Sequence, residues 1–296
     1  MDPVTARGAR PAGARRRSRR RTREPDLAEL RLESTAQALS ARGLPTWLQP
    51  TTAHRGLAGP VLLHLALAGA SLGLALAHHP LLGLLLFFLQ LPNLLIDLDG
   101  GQSPVRRWLP RSPGWSAEIE LQEGEESAAT LLVFLPMNPG GGARRSQAQG
   151  PQLAQAALAL AQAVVDRPIP GARVLLLLGA DGPTWFDDLD VLLRNRRHRS
   201  NPRRCALLVL RPSASTATLI NPDGVVRARS APPGMLTALG PLGLPSRRGR
   251  SAAARARRLG VPAIGLSLDP ARPEELADRL HVALRCLGSH LSPESA

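Results

Sequence analysis

The pattern of apolar and polar positions divides the chain into three regimes. From Leu57 to Ile96 there is no Asp, Glu, Lys or Arg, and the apolar run breaks once, at His78-His79-Pro80. So little amphipathic period survives there that a buried core hairpin is the weaker reading. Leu57 to Ala77 matches the ~20 residues that a helix needs to cross a hydrocarbon core. Leu81 to Ile96 is shorter and carries Gln90, Pro92 and Asn93 near its end. The block therefore predicts a transmembrane helical hairpin over residues 57–97. Before it, Leu27, Leu30, Leu32, Ala36 and Leu39 recur at helical spacing, with Gly43 as a stop and an extended stretch over Pro45 to Thr51. After it, short apolar runs alternate with amphipathic ones. Trp115 to Leu121, Thr130 to Leu135, Arg173 to Leu178, Cys205 to Leu210 and Ala263 to Leu268 read as strands. Pro151 to Val165, Trp185 to Arg196 and Pro273 to Leu287 read as helices. Continuous runs such as Leu131 to Leu135 and Val174 to Leu178 suit strands covered on both faces. The expected fold is α/β, a three-layer sandwich around a mostly parallel or mixed sheet, interrupted by the hairpin.

This rhythm sets the expected domains. Residues 1–24 form a disordered arginine-rich tail, and 25–56 the first helix and extended segment of the α/β body. The hairpin covers 57–97, the main α/β domain 112–290, and a short tail 291–296. Every Lys-or-Arg position is arginine, and the net charge is +14. Arg7, Arg10, Arg15, Arg16, Arg17, Arg19, Arg20, Arg21 and Arg23 precede the hairpin, and Arg106, Arg107 and Arg111 follow it. Positive residues on both flanks predict that both termini stay in the cytoplasm, with the protein in the cell (inner) membrane. A secretory or twin-arginine signal does not fit, because the apolar block starts far from the amino terminus.

A basic tail also binds nucleic-acid phosphates. However, no recognised nucleic-acid module accompanies it, and with no Tyr and four Phe the chain is poor in stacking surfaces. Anionic lipid is the preferred partner. Cys205 and Cys286 lie in apolar runs without zinc-like spacing and read as small buried residues.

The element order and several strings resemble the zinc-dependent exopeptidases of peptidase family M twenty-eight. "ALSARGLPTWLQP" is similar to that family's first helix and following extended stretch. "SAEIEL" resembles its Asn-Val-Ile-Ala strand, and "LLVFLPMN" the strand ending in Ala-His-x-Asp. "QLAQAALALAQAV" resembles the next helix, "RVLLLLGADG" the strand ending in Gly-Ala-Glu-Glu, and "LGVPAIGLSL" the late strand. The hairpin would then be an insertion.

The resemblance implies two zinc ions held by His, Asp and Glu, with a further Glu as general base. The sequence departs from this at each place. Pro136 of Leu135-Pro136-Met137-Asn138 stands at the ligand histidine, and no acid falls near Ser146 to Gln149. In Gly179-Ala180-Asp181-Gly182, Asp181 stands at the general-base position and Gly182 removes a ligand. Leu210-Arg211 replaces an Asp, and the histidine after Leu268 is His281, on the closing helix. Asn138, Asp181 and Arg211 are left as pocket remnants for binding, with no metal ligand and therefore no zinc cofactor.

Other chemistry is thinner. Asp181, Asp187, Asp188 and Asp190 suit a solvated helix start. "NPGGGARR" lacks the Lys-Ser/Thr of a phosphate loop. Ser213 and Ser215 have no placed His-Asp partners. The expected protein is a membrane-anchored pseudo-peptidase with a binding or scaffolding role toward a protein or peptide. The alternatives are an active metallo-exopeptidase or other hydrolase with a rebuilt site, and an arginine-tailed nucleic-acid-binding membrane protein.

Overall fold

A computed structural model describes residues 27–53, 58–98, 112–125, 128–138, 143–180, 189, 192–193, 204–213, 216–222, 233–249 and 252–291. The strands are β1 (Thr46–Ala53), β2 (Ser112–Gln122), β3 (Ala129–Pro136) and β4 (Ala172–Gly179), then β5 (Cys205–Pro212), β6 (Thr218–Pro222), β7 (Ser246–Gly249) and β8 (Ala263–Leu268). They form one eight-stranded sheet in the order β1-β2-β4-β3-β5-β8-β6-β7. The centre, β4-β3-β5-β8, is parallel, while β1/β2, β2/β4 and β6/β8 are antiparallel.

Strand alternation sends two sets of side chains to opposite faces. Leu131, Val133, Leu135, Val174, Leu176, Leu178, Leu208 and Leu266 join a large core with helices α1 (Leu27–Ala41), α4 (Ala143–Asp166) and α7 (Pro273–Leu291). Leu132, Phe134, Leu175, Leu177, Leu207 and Val209 face Leu189, Leu192, Leu193 and helix α6 (Ala252–Arg258). A short helix α5 (Pro233–Ala238) completes the body. Both faces of the central strands are thus covered, which is why they read as unbroken apolar runs. The helical stop expected at Gly43 is present: its φ is +85°, a conformation that glycine adopts without a Cβ penalty.

Helices α2 (Ala58–Leu76) and α3 (Pro80–Leu98) form the expected hairpin. His78 turns it with φ +64°. The two helices pack on each other, and among the described elements no other packs substantially against either. The transmembrane expectation is corrected: among the described residues, no helix is long and apolar enough to cross a membrane. Each helix has 19 residues, about 28 Å at 1.5 Å per residue. His64 and Ser71 interrupt α2, and Gln90, Pro92, Asn93 and Asp97 interrupt the second half of α3. What the hairpin does show is apolar surface: Leu76 and Leu81 are 74% and 80% exposed, and Leu62, Leu65, Leu72 and Phe88 are also well exposed.

Candidate functional site

In a parallel sheet flanked by helices, ligands bind outside the carboxyl ends of the strands. Here β3, β4, β5 and β8 end together, at Pro136, Gly179, Pro212 and Leu268. Pairing builds a lateral row along that edge. Pro136 lies beside Gly179, and Gly179 beside Ser116. Phe134 pairs with Val209, so the next positions in phase are Pro136 and Arg211. Arg211 then pairs with Ser267, and Ser267 with Thr218. The row therefore runs Ser116, Gly179, Pro136, Arg211, Ser267, Thr218, at about 4.8 Å per strand. All six positions lie in phase with the Phe134 and Val209 face of the sheet.

Three of these side chains are hydroxyls sealed from water. Ser116 and Ser267 have no exposed surface, and the buried oxygens of Ser116, Ser267 and Thr218 have no hydrogen-bond partner. Arg211 is exposed, and Asn138 is half-buried just past the end of β3. Met137 points the other way, into the core with α1 and α4, and its amide donates to the Gly179 carbonyl at 2.7 Å. One pair further into the sheet, the fully buried Glu118 accepts from Gln49 Nε2 at 3.3 Å.

The structure thus brings Pro136, Gly179 and Arg211 to one edge, with Asn138 beside them. Asp181, Gly182, Asp187, Asp188, Asp190 and Ser215 lie outside the described residues, as do the arginine-rich tail and the glycines of the loop before α4. His281 is separate: it is buried on α7, and its Nε2 lies 2.8 Å from the Arg167 carbonyl, which ties the last helix to the end of α4. Ser116, Ser267 and Thr218 were not anticipated. Their signal was a polar residue interrupting an apolar strand, which acquires meaning only once the register is known.

Zinc requires imidazole, thiolate or carboxylate donors converging within about 2.0–2.3 Å of one point. The row offers a proline ring, a glycine, three hydroxyls and a guanidinium, which has donors and no acceptor. This set does not fit the metal. Among the described residues, no group of three or more His, Cys, Asp or Glu side chains could hold a metal ion.

A cleft of about 190 Å³ lies at the other face of this edge, against Leu268, Asp269, Arg272, Glu275 and Arg279. It is smaller than ligand pockets usually are. Its acid is already engaged: Glu275 is bonded by Arg272 at 3.2 Å and Arg279 at 2.9 Å. Those hydrogen bonds hold the Glu275 carboxyl below the ordinary carboxylate range.

No family profile matches the chain, and no curated protein matches its sequence. Solved structures do. A glutaminyl cyclase from an Acidobacteriales bacterium aligns with a TM-score of 0.52 at 9% identity, covering 87% of this chain and 84% of that one. An aminopeptidase from Aneurinibacillus sp. strain AM-1 aligns at 0.40 and 13% identity, over 60% of this chain and 48% of that one. The bottromycin maturation enzyme BotP aligns at 0.41 and 15% identity, over 88% and 65%. The chain spans about half the length of three of the peptidases it matches. The cyclase likeness is one of fold alone: a mixed α/β sheet flanked by helices.

Proposed function

We propose that this protein is a membrane-anchored, non-hydrolytic binding domain built on an exopeptidase-type fold. What supports this reading is the row at the carboxyl edge, which carries hydroxyls and a guanidinium and no imidazole, thiolate or carboxylate. Asn138 and Arg211 form the binding edge, with the hydroxyls of Ser116, Ser267 and Thr218 buried in the same row, and Asp181 is assigned to it from the sequence resemblance alone. Its ligand is a protein or peptide segment with hydrogen-bonding groups of its own. Asn138 and Arg211 hold such groups by hydrogen bonds without activating water.

The exposed leucines of the hairpin supply the anchor by inserting into the membrane surface without crossing it. Arginines on both flanks keep its two ends in the cytoplasm, at the inner membrane. No step of this role needs zinc.

The test is elemental analysis of the purified full chain in mild detergent, with a peptide-hydrolysis assay alongside. The expected result is no stoichiometric zinc and no hydrolysis, before or after zinc is added. About two zinc ions per chain with peptide turnover, as in two-metal hydrolases, would overturn the reading.

A further inference from the structure

The two outer strands of the sheet, β1 and β7, are built differently. β1 carries no charged side chain, whereas β7 reads Ser246-Arg247-Arg248-Gly249. β7 pairs on one side only, in parallel with β6. The Leu219 amide donates to the Pro245 carbonyl at 2.9 Å. Backbone direction alternates along a strand, so Pro245, Arg247 and Gly249 turn their peptide groups toward β6. Ser246 and Arg248 turn theirs away from the sheet, and among the described residues nothing pairs with them.

Charge marks the same edge. Arg247 is in register with Ile220 and Arg248 with Asn221, neighbouring positions that face opposite sides of the sheet. Both arginines are exposed, and among the described residues neither has an ion-pair or hydrogen-bond partner for its side chain. Neither β6 nor the stretch from Pro233 to Gly249 contains an acid. Such an edge resists a second copy of itself, because pairing two β7 strands sets arginine against arginine. A strand that carries acids meets the opposite situation. Cross-strand charge attracts it, and the open backbone groups hold it.

From the open backbone and the unpaired arginines together, we infer that β7 is a docking edge for an extended acidic segment of another protein, which adds to the sheet as a further strand. Ser246 and Arg248 supply N–H and C=O groups to its backbone. Because Arg247 and Arg248 lie on opposite faces, the segment is read through two acids at adjacent positions, one for each face. Acids two positions apart share a face and leave one arginine unmatched. The inference is independent of the hairpin and of the row at Arg211, and it stands or falls without them.

The experiment titrates the full chain, in mild detergent, with two fluorescein-labelled peptides of the same length, composition and charge. Thr-Val-Glu-Glu-Val-Thr has its acids adjacent, and Thr-Glu-Val-Glu-Val-Thr has them alternating. Fluorescence anisotropy should show the adjacent form binding at least about threefold more tightly. High salt should weaken that binding, because the charges are exposed. The double variant Arg247→Glu, Arg248→Glu should lose the adjacent-acid peptide and gain its Lys-Lys counterpart, a reversal that a purely structural role for the arginines does not produce. Hydrogen exchange on the unaltered chain is the second measurement. Amides of Ser246 and Arg248 should slow when the adjacent-acid peptide is added, and those of β1 should not change.

Equal affinity for the two acidic peptides, as diffuse attraction to a positive chain would give, overturns the docking edge. So does binding of neither peptide, or protection that appears while Ser246 and Arg248 exchange as before. If circular dichroism shows the double variant unfolded, Arg247→Gln with Arg248→Gln takes its place. That pair should keep the fold and lose the preference for adjacent acids, and a preference that persists overturns the inference.

Discussion

The Gln90 side chain of α3 donates from Nε2 to the His64 carbonyl of α2 at 2.6 Å, and both residues are buried where the helices meet. The other half of that amide is not satisfied, since Gln90 Oε1 has no hydrogen-bond partner. One bond made and one acceptor stranded nearly offset each other, at about 1 kcal/mol gained and 1–3 kcal/mol lost. Gln90→Leu should therefore change hairpin stability by less than about 1 kcal/mol, because it removes both terms. Gln90→Glu should lose at least about 2 kcal/mol at neutral pH, because it places a carboxylate in an apolar interface. Thermal unfolding in mild detergent followed by circular dichroism reads both. A large loss with leucine would mean that the bond does more than this account allows.

Close approach of the two helices depends on Gly83. A Cβ there would lie 2.5 Å from the Ser71 carbonyl oxygen and 3.0 Å from the Ala75 amide nitrogen, both backbone atoms. Gly83→Val should therefore push the helices apart, losing about 1–3 kcal/mol by the usual cost of overpacking. Gly73 meets nothing within 4 Å. Gly73→Ala should be neutral or gain up to about 1 kcal/mol from helix propensity. The same melts compare the pair, and equal effects at the two glycines would contradict this packing.

Gln122 clamps the turn that leads into β4. Its Nε2 donates to the carbonyls of Ile169 at 2.7 Å and Ala172 at 2.8 Å, while its Oε1 accepts from the Ile169 amide at 2.8 Å. Gln122→Ala strands backbone groups in a half-buried turn and should cost about 2 kcal/mol. Urea unfolding should show an earlier midpoint with an unchanged slope. A loss below about 0.5 kcal/mol would show that solvent replaces the side chain there.

The parts legible in the sequence were those that local pattern dictates. β3, β4, β5 and β8 are continuous apolar runs, and each lies where the run predicts. α7 is amphipathic, and it runs from Pro273 as read, ending a turn later at Leu291. α4 begins at Ala143, so Pro151, read as the start, lies inside the helix two turns on, where proline usually interrupts the hydrogen-bond ladder. Gly150 beside it leaves room for the Arg31 guanidinium of α1, a contact no local pattern reveals. β6 and β7 were missed because Thr218–Pro222 and Ser246–Gly249 are short, and β7, at the sheet edge, carries arginines where interior strands carry leucine. In the site, Pro136 and Arg211 were placed from strand ends. Ser116 and Ser267 were not, since they are far apart in the sequence and fall into one row only through the register of the strands between them. The hairpin was legible as a pair of helices. Its crossing of a bilayer was not: among the described residues no helix is long and apolar enough to cross a membrane.

The two cysteines should separate by burial. Cys205 lies inside β5, where loss of solvent pushes its thiol up to about 12, and Cys286 is half-buried on α7. A thiol reagent at neutral pH should label Cys286 in the folded protein and Cys205 only after denaturation, since the thiolate is the reactive form. The same shift makes stability depend on pH. Unfolded Cys205 ionises near 9.0, whereas the folded thiol holds its proton to about 12. The unfolded state therefore binds fewer protons in that interval, and stability falls as pH rises through it. Below 9.0 the contribution is fully present. Wild type and Cys205→Ala should differ by a constant amount at pH 7 and 8, with the wild-type advantage shrinking above about pH 9. Parallel urea titrations across that range check it. A constant gap up to pH 11 would mean that the Cys205 thiol ionises as readily in the fold as outside it.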